Sequence, residues 1–254
     1  MSKQNKIKKT ILLVAISLLM IASIALVEKK NSQKTVQSIS IYVEGISGVS
    51  FVEEADILNM ITNPEDGIVQ AGDPISGLNM RAIESKAAGH PFVKRAEAFV
   101  DLKGNLRVVI DQYKPLARIV RVNAADAYIS EEGLILPTSK KFTARVTLIE
   151  GAFGEQLIKA QDLTEAHQSL MDLLDFIERD KFWKAQVASL DIDSKGQITI
   201  YQQVGKQLIE FGKPEQIEEK FEKLKIFYDE ILPAKGWNYY SRVNLKYKDQ
   251  IVCE

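Results

Sequence analysis

From Thr10 to Val27 the chain runs TILLVAISLLMIASIALV, with no charged side chain, and after it apolar residues alternate with polar ones or recur at helical spacing. The run reads as one membrane-spanning helix. At about 1.5 Å per residue it covers roughly 27 Å, enough for a hydrocarbon core of about 30 Å with flanking lysines at either edge. A cleaved secretory signal is the competing reading, because Lys3 to Lys9 form a basic head and Ser23-Ile24-Ala25 has the small-x-small pattern of a cleavage site. Both readings leave the basic head in the cytoplasm and place the chain from about Glu28 onward across the membrane.

A polar linker over residues 28–35 precedes an alternating segment at 38–43, which reads as a strand. Ala55, Ile57, Leu58 and Ile61 then make a helical stripe, and a loop rich in Pro and Gly follows over 62–77. A second helix fits 79–88, with Asn79 as its cap and Gly89 as its end. Two alternating arms, 93–102 and 106–112, flank Lys103-Gly104-Asn105 and predict a hairpin, since Gly and Asn accept the positive φ of the turn. Pro115 has no N–H to donate to a ladder, so it marks a boundary near 112–115.

Beyond it, 128–137 reads as strand, turn and strand, and 145–150 as a strand. Residues 162–178 read as one helix, with Asp162 and Glu165 as a capping box and Leu163, Ala166, Leu170, Leu173, Leu174 and Ile177 as its stripe. Arms at 187–192 and 197–201 form a second hairpin, and 206–211 is a further strand. Pro214 opens a second helix reaching Ile231, and 240–247 is the last clear strand.

Composition fits folded protein, at 46% hydrophobic and 26% charged. The net charge of -1 offers no basic footprint for phosphates, so nucleic acid is not an expected partner. Cys253 is the one cysteine, so no intrachain disulfide forms and the exported part is held by its core alone.

The order strand, helix, helix, strand, strand, with Gly89-His90-Pro91-Phe92-Val93-Lys94-Arg95-Ala96-Glu97 closing the second helix, resembles a POTRA domain of the FtsQ/DivIB cell-division family. Tyr113-Lys114-Pro115-Leu116-Ala117-Arg118-Ile119 is similar to that family's step into a second domain. Leu190-x-Ile192, Gly196-x-Ile198, Gly205, Phe211-Gly212 and Val243-x-Leu245-Lys246-Tyr247 resemble the family in their order, while Ser130 stands where an aspartate is expected. The resemblance implies an α+β protein. The expected organisation is a cytoplasmic tail at 1–9, a transmembrane helix at 10–27, a linker at 28–35, a POTRA domain (β-α-α-β-β) at 36–112 and a mostly antiparallel β domain with two helices at 113–254.

The chemistry of an enzyme is missing from the sequence. It contains no Gly-x-Gly-x-x-Gly, no Walker-type loop and no Gly-x-Ser-x-Gly. His90 and His167 are the two histidines and make no zinc site, while Asp191 and Asp193 flank Ile192 on a strand and face water. No catalytic residue, cofactor or metal ligand is therefore expected. The resemblance instead implies a bitopic scaffold of the bacterial divisome in the cytoplasmic (inner) membrane at the division septum, with the bulk of the chain periplasmic. Its implied partners are FtsB/DivIC-like and FtsL-like proteins and, through them, the septal peptidoglycan synthase. An envelope enzyme or signal-binding receptor with a scattered site is the alternative.

Three groups of residues stand out. Val243 to Ile251 is expected to be an unpaired edge strand that receives a partner strand, with Tyr247 foremost, followed by Lys246, Lys248, Asp249 and Ile251. Pro91, Phe92 and Val93 either pack the end of the second helix or form a contact surface, with packing favoured. Pro115 and Arg118 mark the domain junction.

Overall fold

Alternation near the start of the folded chain becomes β1 (Ile39–Val43). The helical stripe becomes α1 (Glu54–Thr62), with Ile57 and Ile61 buried and the Asp56 carboxylate accepting the Glu53 N–H at 3.3 Å. In the computed structural model, which describes residues 13, 15–21, 34–45 and 50–254, these elements belong to the first of two units. One unit takes in the described residues up to Glu44 with Val52–Gln112, and the other takes in Tyr113–Glu254 with Gly45, Ser50 and Phe51.

In the first unit Asn79 caps α2 (Met80–Ala88), its side-chain oxygen accepting the Ala82 N–H at 3.1 Å. β2 (Val93–Val100) and β3 (Leu106–Gln112) form the hairpin. Its turn needs Gly104 at φ +89°, a conformation that L side chains rarely adopt. The Asp101 carboxylate organises that turn by accepting the N–H groups of Lys103 (2.9 Å) and Asn105 (3.0 Å) and the Asn105 side-chain amide (3.0 Å). Those bonds to Asn105 pull the Asp101 carboxyl down to about 2. The sheet order is β1-β3-β2, with β1 parallel to β3 and β2 antiparallel to it. Ile41, Ile57, Ile61, Ile83, Leu106, Val108 and Ile110 are buried in this unit. Phe92 and Val93 are buried too, while Pro91 is exposed.

The second unit is built on one nine-stranded sheet of order β12-β11-β10-β9-β8-β7-β4-β5-β6. Its strands are β4 (Pro115–Ile119), β5 (Ala127–Ser130), β6 (Ile135–Pro137), β7 (Thr147–Glu150), β8 (Val187–Ile192), β9 (Ile198–Gln202), β10 (Leu208–Gly212), β11 (Arg242–Asn244) and β12 (Val252–Cys253). Five of its eight pairings are antiparallel. The other three, β10 with β11, β4 with β7 and β7 with β8, are parallel. Pro115 stands first in β4, where its missing N–H costs least. Ser130 organises the turn after β5, its hydroxyl oxygen accepting the N–H groups of Glu132 and Leu134, each at 3.2 Å.

The expectation of two helices in this unit is corrected. Its described residues contain α3 (Gly154–Ala160), α4 (Gln168–Arg179), α5 (Lys181–Gln186) and α6 (Ile217–Ile226), then a π-helical turn (Phe227–Ile231) and a last short helix (Leu232–Lys235). α3 and α5 are one to two turns long, too short for a stripe to show. The helix expected from Asp162 begins six residues later, because the Asp162 carboxylate accepts the Thr164 N–H (2.9 Å) and hydroxyl (2.7 Å) in a local turn. Asp180 then separates α4 from α5 by accepting the N–H groups of Phe182 (2.8 Å) and Trp183 (3.0 Å). α6 widens into the π turn ahead of Pro233, which has no N–H to close an α turn onto Asp229. Between helices and sheet, Phe221 meets Phe176 (4.8 Å between centroids), Trp183 (4.7 Å) and Phe211 (5.4 Å).

The expected transmembrane helix at 10–27 falls largely outside the described residues. Residues 13 and 15–21 are helical, and among the described residues no helix is long and apolar enough to cross a membrane.

Candidate functional site

At one end of the nine-stranded sheet, β10 pairs in parallel with β11 and β11 pairs antiparallel with β12. This corrects the expected edge. The segment at 243–251 is not one free strand, since β11 ends at Asn244 and its outer side is covered by Val252 and Cys253. Arg242 and Glu254 exchange both backbone bonds at 3.0 Å, and Ser241 N–H also donates to the Glu254 carbonyl at 2.6 Å. By the alternation of an antiparallel ladder, Cys253 turns its N–H and C=O outward, so the true edge offers only a short row of groups. Burial pushes the Cys253 thiol up.

Residues 245–251 form a turn between these two strands. The Asn244 side-chain oxygen accepts the Lys246 N–H at 3.0 Å and ends the strand there. Lys246 Nζ meets Glu210 Oε2 at 2.6 Å, and Arg242 and Asn244 bind the same carboxylate at 2.6 and 2.9 Å. Gly212, at φ +80°, leaves room for the Lys246 stem, because a Cβ there would lie 2.7 Å from Lys246 Cγ. Lys223 Nζ, paired with Glu219 at 3.1 Å, donates to the Tyr247 carbonyl at 3.0 Å. The Tyr247 backbone is thus pinned while its side chain projects, the residue being 50% exposed against 0% for Val243 and Leu245. Lys248 and Asp249 are exposed, Asp249 at φ +56°, a region that Asp tolerates in turns. Ile251 is half-buried and packs against the core.

The Lys246 bond, with Arg242 beside it, holds the Glu210 carboxyl below the usual glutamate range. A depressed carboxylate contributes stability that is fully present above its unfolded pKa and is lost as pH falls through the folded one. An NMR titration of the Glu210 carboxyl will therefore give a midpoint below that of exposed glutamates, and acidification through it will release the Lys246 arm. A midpoint at the ordinary glutamate value would contradict the arrangement.

The structure brings Lys246, Tyr247, Lys248, Asp249 and Ile251 into one turn. Pro91, Phe92 and Val93 belong to the first unit, where burial of Phe92 and Val93 supports the packing role. Pro115 and Arg118 lie on β4. Arg118 Nε and a terminal guanidinium nitrogen contact Asp126 Oδ2 at 2.8 and 2.7 Å, and the guanidinium lies 5.8 Å from the Tyr128 ring centroid. Sequence reasoning missed Trp237 and Tyr239, both exposed. Gln207 Nε2 donates to the Trp237 carbonyl, and only the aromatic density just after Gly236 signals this feature. Among the described residues no group of three or more His, Cys, Asp or Glu side chains could hold a metal ion.

The family model described as FtsQ/DivIB, C-terminal related, matches residues 114–254, more than half of the chain. The chain belongs to the FtsQ/DivIB family. A model described as a POTRA-like domain matches residues 34–111. No curated protein matches the chain. FtsQ/DivIB membership carries a scaffold role in cell division, with other division proteins as partners. The C-terminal turn lies within the FtsQ/DivIB match.

Proposed function

We propose that this chain is a non-catalytic bitopic scaffold that recruits and regulates septal cell-wall synthesis. The apolar segment at 10–27 anchors it in the cytoplasmic membrane with its N-terminus in the cytoplasm, and the domains at 36–112 and 113–254 work in the periplasm. It binds FtsB/DivIC-like and FtsL-like partners and acts through them on the septal peptidoglycan synthase. The observation that carries this reading is the C-terminal turn, where a backbone fixed by Lys223 and Glu210 presents an exposed tyrosine beside a short sheet edge.

The physics suits a binding surface. Tyrosine buries much area for little lost rotamer freedom, and fixing the turn beforehand lowers the cost of ordering on binding. Lys246, Lys248 and Asp249 form a charged rim, which tunes partner choice more than affinity. Tyr247→Ala will weaken capture of the partners by about 30-fold, the equivalent of a contact worth about 2 kcal/mol, while the unfolding midpoint stays at its original value. Undiminished capture by the variant would move the site elsewhere.

A further inference from the structure

In the three-stranded sheet β2 is an edge strand, and its register with β3 decides which of its groups face outward. Asp101 N–H donates to the Asn105 carbonyl at 2.9 Å, whereas Leu106 N–H points the other way, to the Ser38 carbonyl at 2.9 Å. Val100 stands opposite Leu106, Ala98 opposite Val108 and Ala96 opposite Ile110. The alternation of an antiparallel ladder therefore turns the N–H and C=O groups of Ala96, Ala98 and Val100 away from β3. The middle donor is occupied, because Glu84 Oε1 of α2 accepts the Ala98 N–H at 2.9 Å. A carboxylate from the neighbouring helix sits on the strand edge, as inward-pointing charges do where open edges are guarded.

The side chains along this edge are self-complementary. With a second β2 laid antiparallel about a two-fold axis through Ala96, Arg95 of each copy falls opposite Glu97 of the other. Lys94 falls opposite Ala98, beside the carboxylate of Glu84 once it is displaced. Ala96 and Ala98 add no bulk at the seam. Within one chain Arg95 already meets its own Glu97 at 3.0 Å, but those side chains are 65% and 58% exposed, so exchanging that bond for the same bond between copies costs little. A contact in which one patch meets itself is the isologous geometry of a two-fold dimer.

We propose that the β2 edge is a guarded strand-pairing surface whose occupant is a second copy of this chain, docked antiparallel about Ala96 with Glu84 moved off the Ala98 N–H. Charge complementarity across the two-fold commits the surface to this occupant.

Cysteine placement in the full detergent-solubilised chain, with Cys253→Ser as background, tests the axis. Ala96→Cys sets the two Cα atoms about 5.5 Å apart, within disulfide reach, whereas Val100→Cys sets them roughly 27 Å apart. Mild oxidation should give a covalent dimer from Ala96→Cys and none from Val100→Cys. Adding Glu84→Ala should raise the dimer yield at least threefold at a limiting protein concentration. Adding Glu84→Gln, which keeps an acceptor oxygen, should leave the yield near its original level. Equal yields from the two cysteines, no dimer from Ala96→Cys, or a yield unmoved by Glu84→Ala would overturn the proposal. Should circular dichroism show that Glu84→Ala unfolds the chain, the contrast between the two cysteines with Glu84 in place decides the matter.

Discussion

Replacing Phe221 by alanine will destabilise the second unit by about 5 kcal/mol, at the top of the usual range for a buried phenylalanine. Phe221 is 1% exposed, and its ring is shared by Phe176, Trp183 and Phe211 from three other elements. The substitution leaves a cavity that four rigid elements cannot collapse to fill, and it removes aromatic contacts worth about 0.5–1.5 kcal/mol each. Both tryptophans, Trp183 and Trp237, lie in this unit, so their fluorescence during denaturant unfolding reports on it alone. A loss below about 2 kcal/mol would mean that the neighbouring rings close over the gap, against the cavity argument.

Deleting residues 251–254 will also weaken the fold, by about 3–5 kcal/mol, and will not cleanly remove a binding surface. The deletion takes away β12, the Glu254 backbone bonds to Ser241 and Arg242, and the apolar contacts of Ile251 and Cys253. Val243 and Leu245, fully buried in the intact chain, lose part of their cover. The fluorescence-detected midpoint will fall together with partner capture. A truncated chain that unfolds at the original midpoint would show that β12 is an ornament of the edge. Because this deletion confounds folding with binding, Tyr247→Ala is the sharper probe of the turn.

What was legible in the sequence divides along physical lines. Period-two alternation and turn chemistry fixed the β2–β3 and β8–β9 hairpins, since their pairing partners are close in sequence and the turns need particular residues. The parallel pairings of β7 with β8 and of β10 with β11 join segments separated by helices, and no local signal encodes them. The apolar period at Val243, Leu245 and Tyr247 suggested a strand reaching 247, yet the Asn244 side chain ends it by capping Lys246 N–H. β12 has only two residues, too few for alternation to show, and so the covered edge was missed. At the site, the family resemblance and the position of the strand near the end of the sequence single out Tyr247 and Lys246, but the Glu210 and Lys223 contacts that hold their turn arise from distant positions. Glu84 on the β2 edge was hidden for the same reason, because a helix-to-strand contact follows from packing and not from spacing.

The central claim, a scaffold that works by binding other division proteins, is tested most directly by capturing the full chain from detergent-solubilised membranes of its own cells and identifying what comes with it. The account predicts that an FtsB/DivIC-like and an FtsL-like protein co-purify in comparable amounts, and that both are depleted by Tyr247→Ala. Capture of the intact, folded chain without either protein would contradict it.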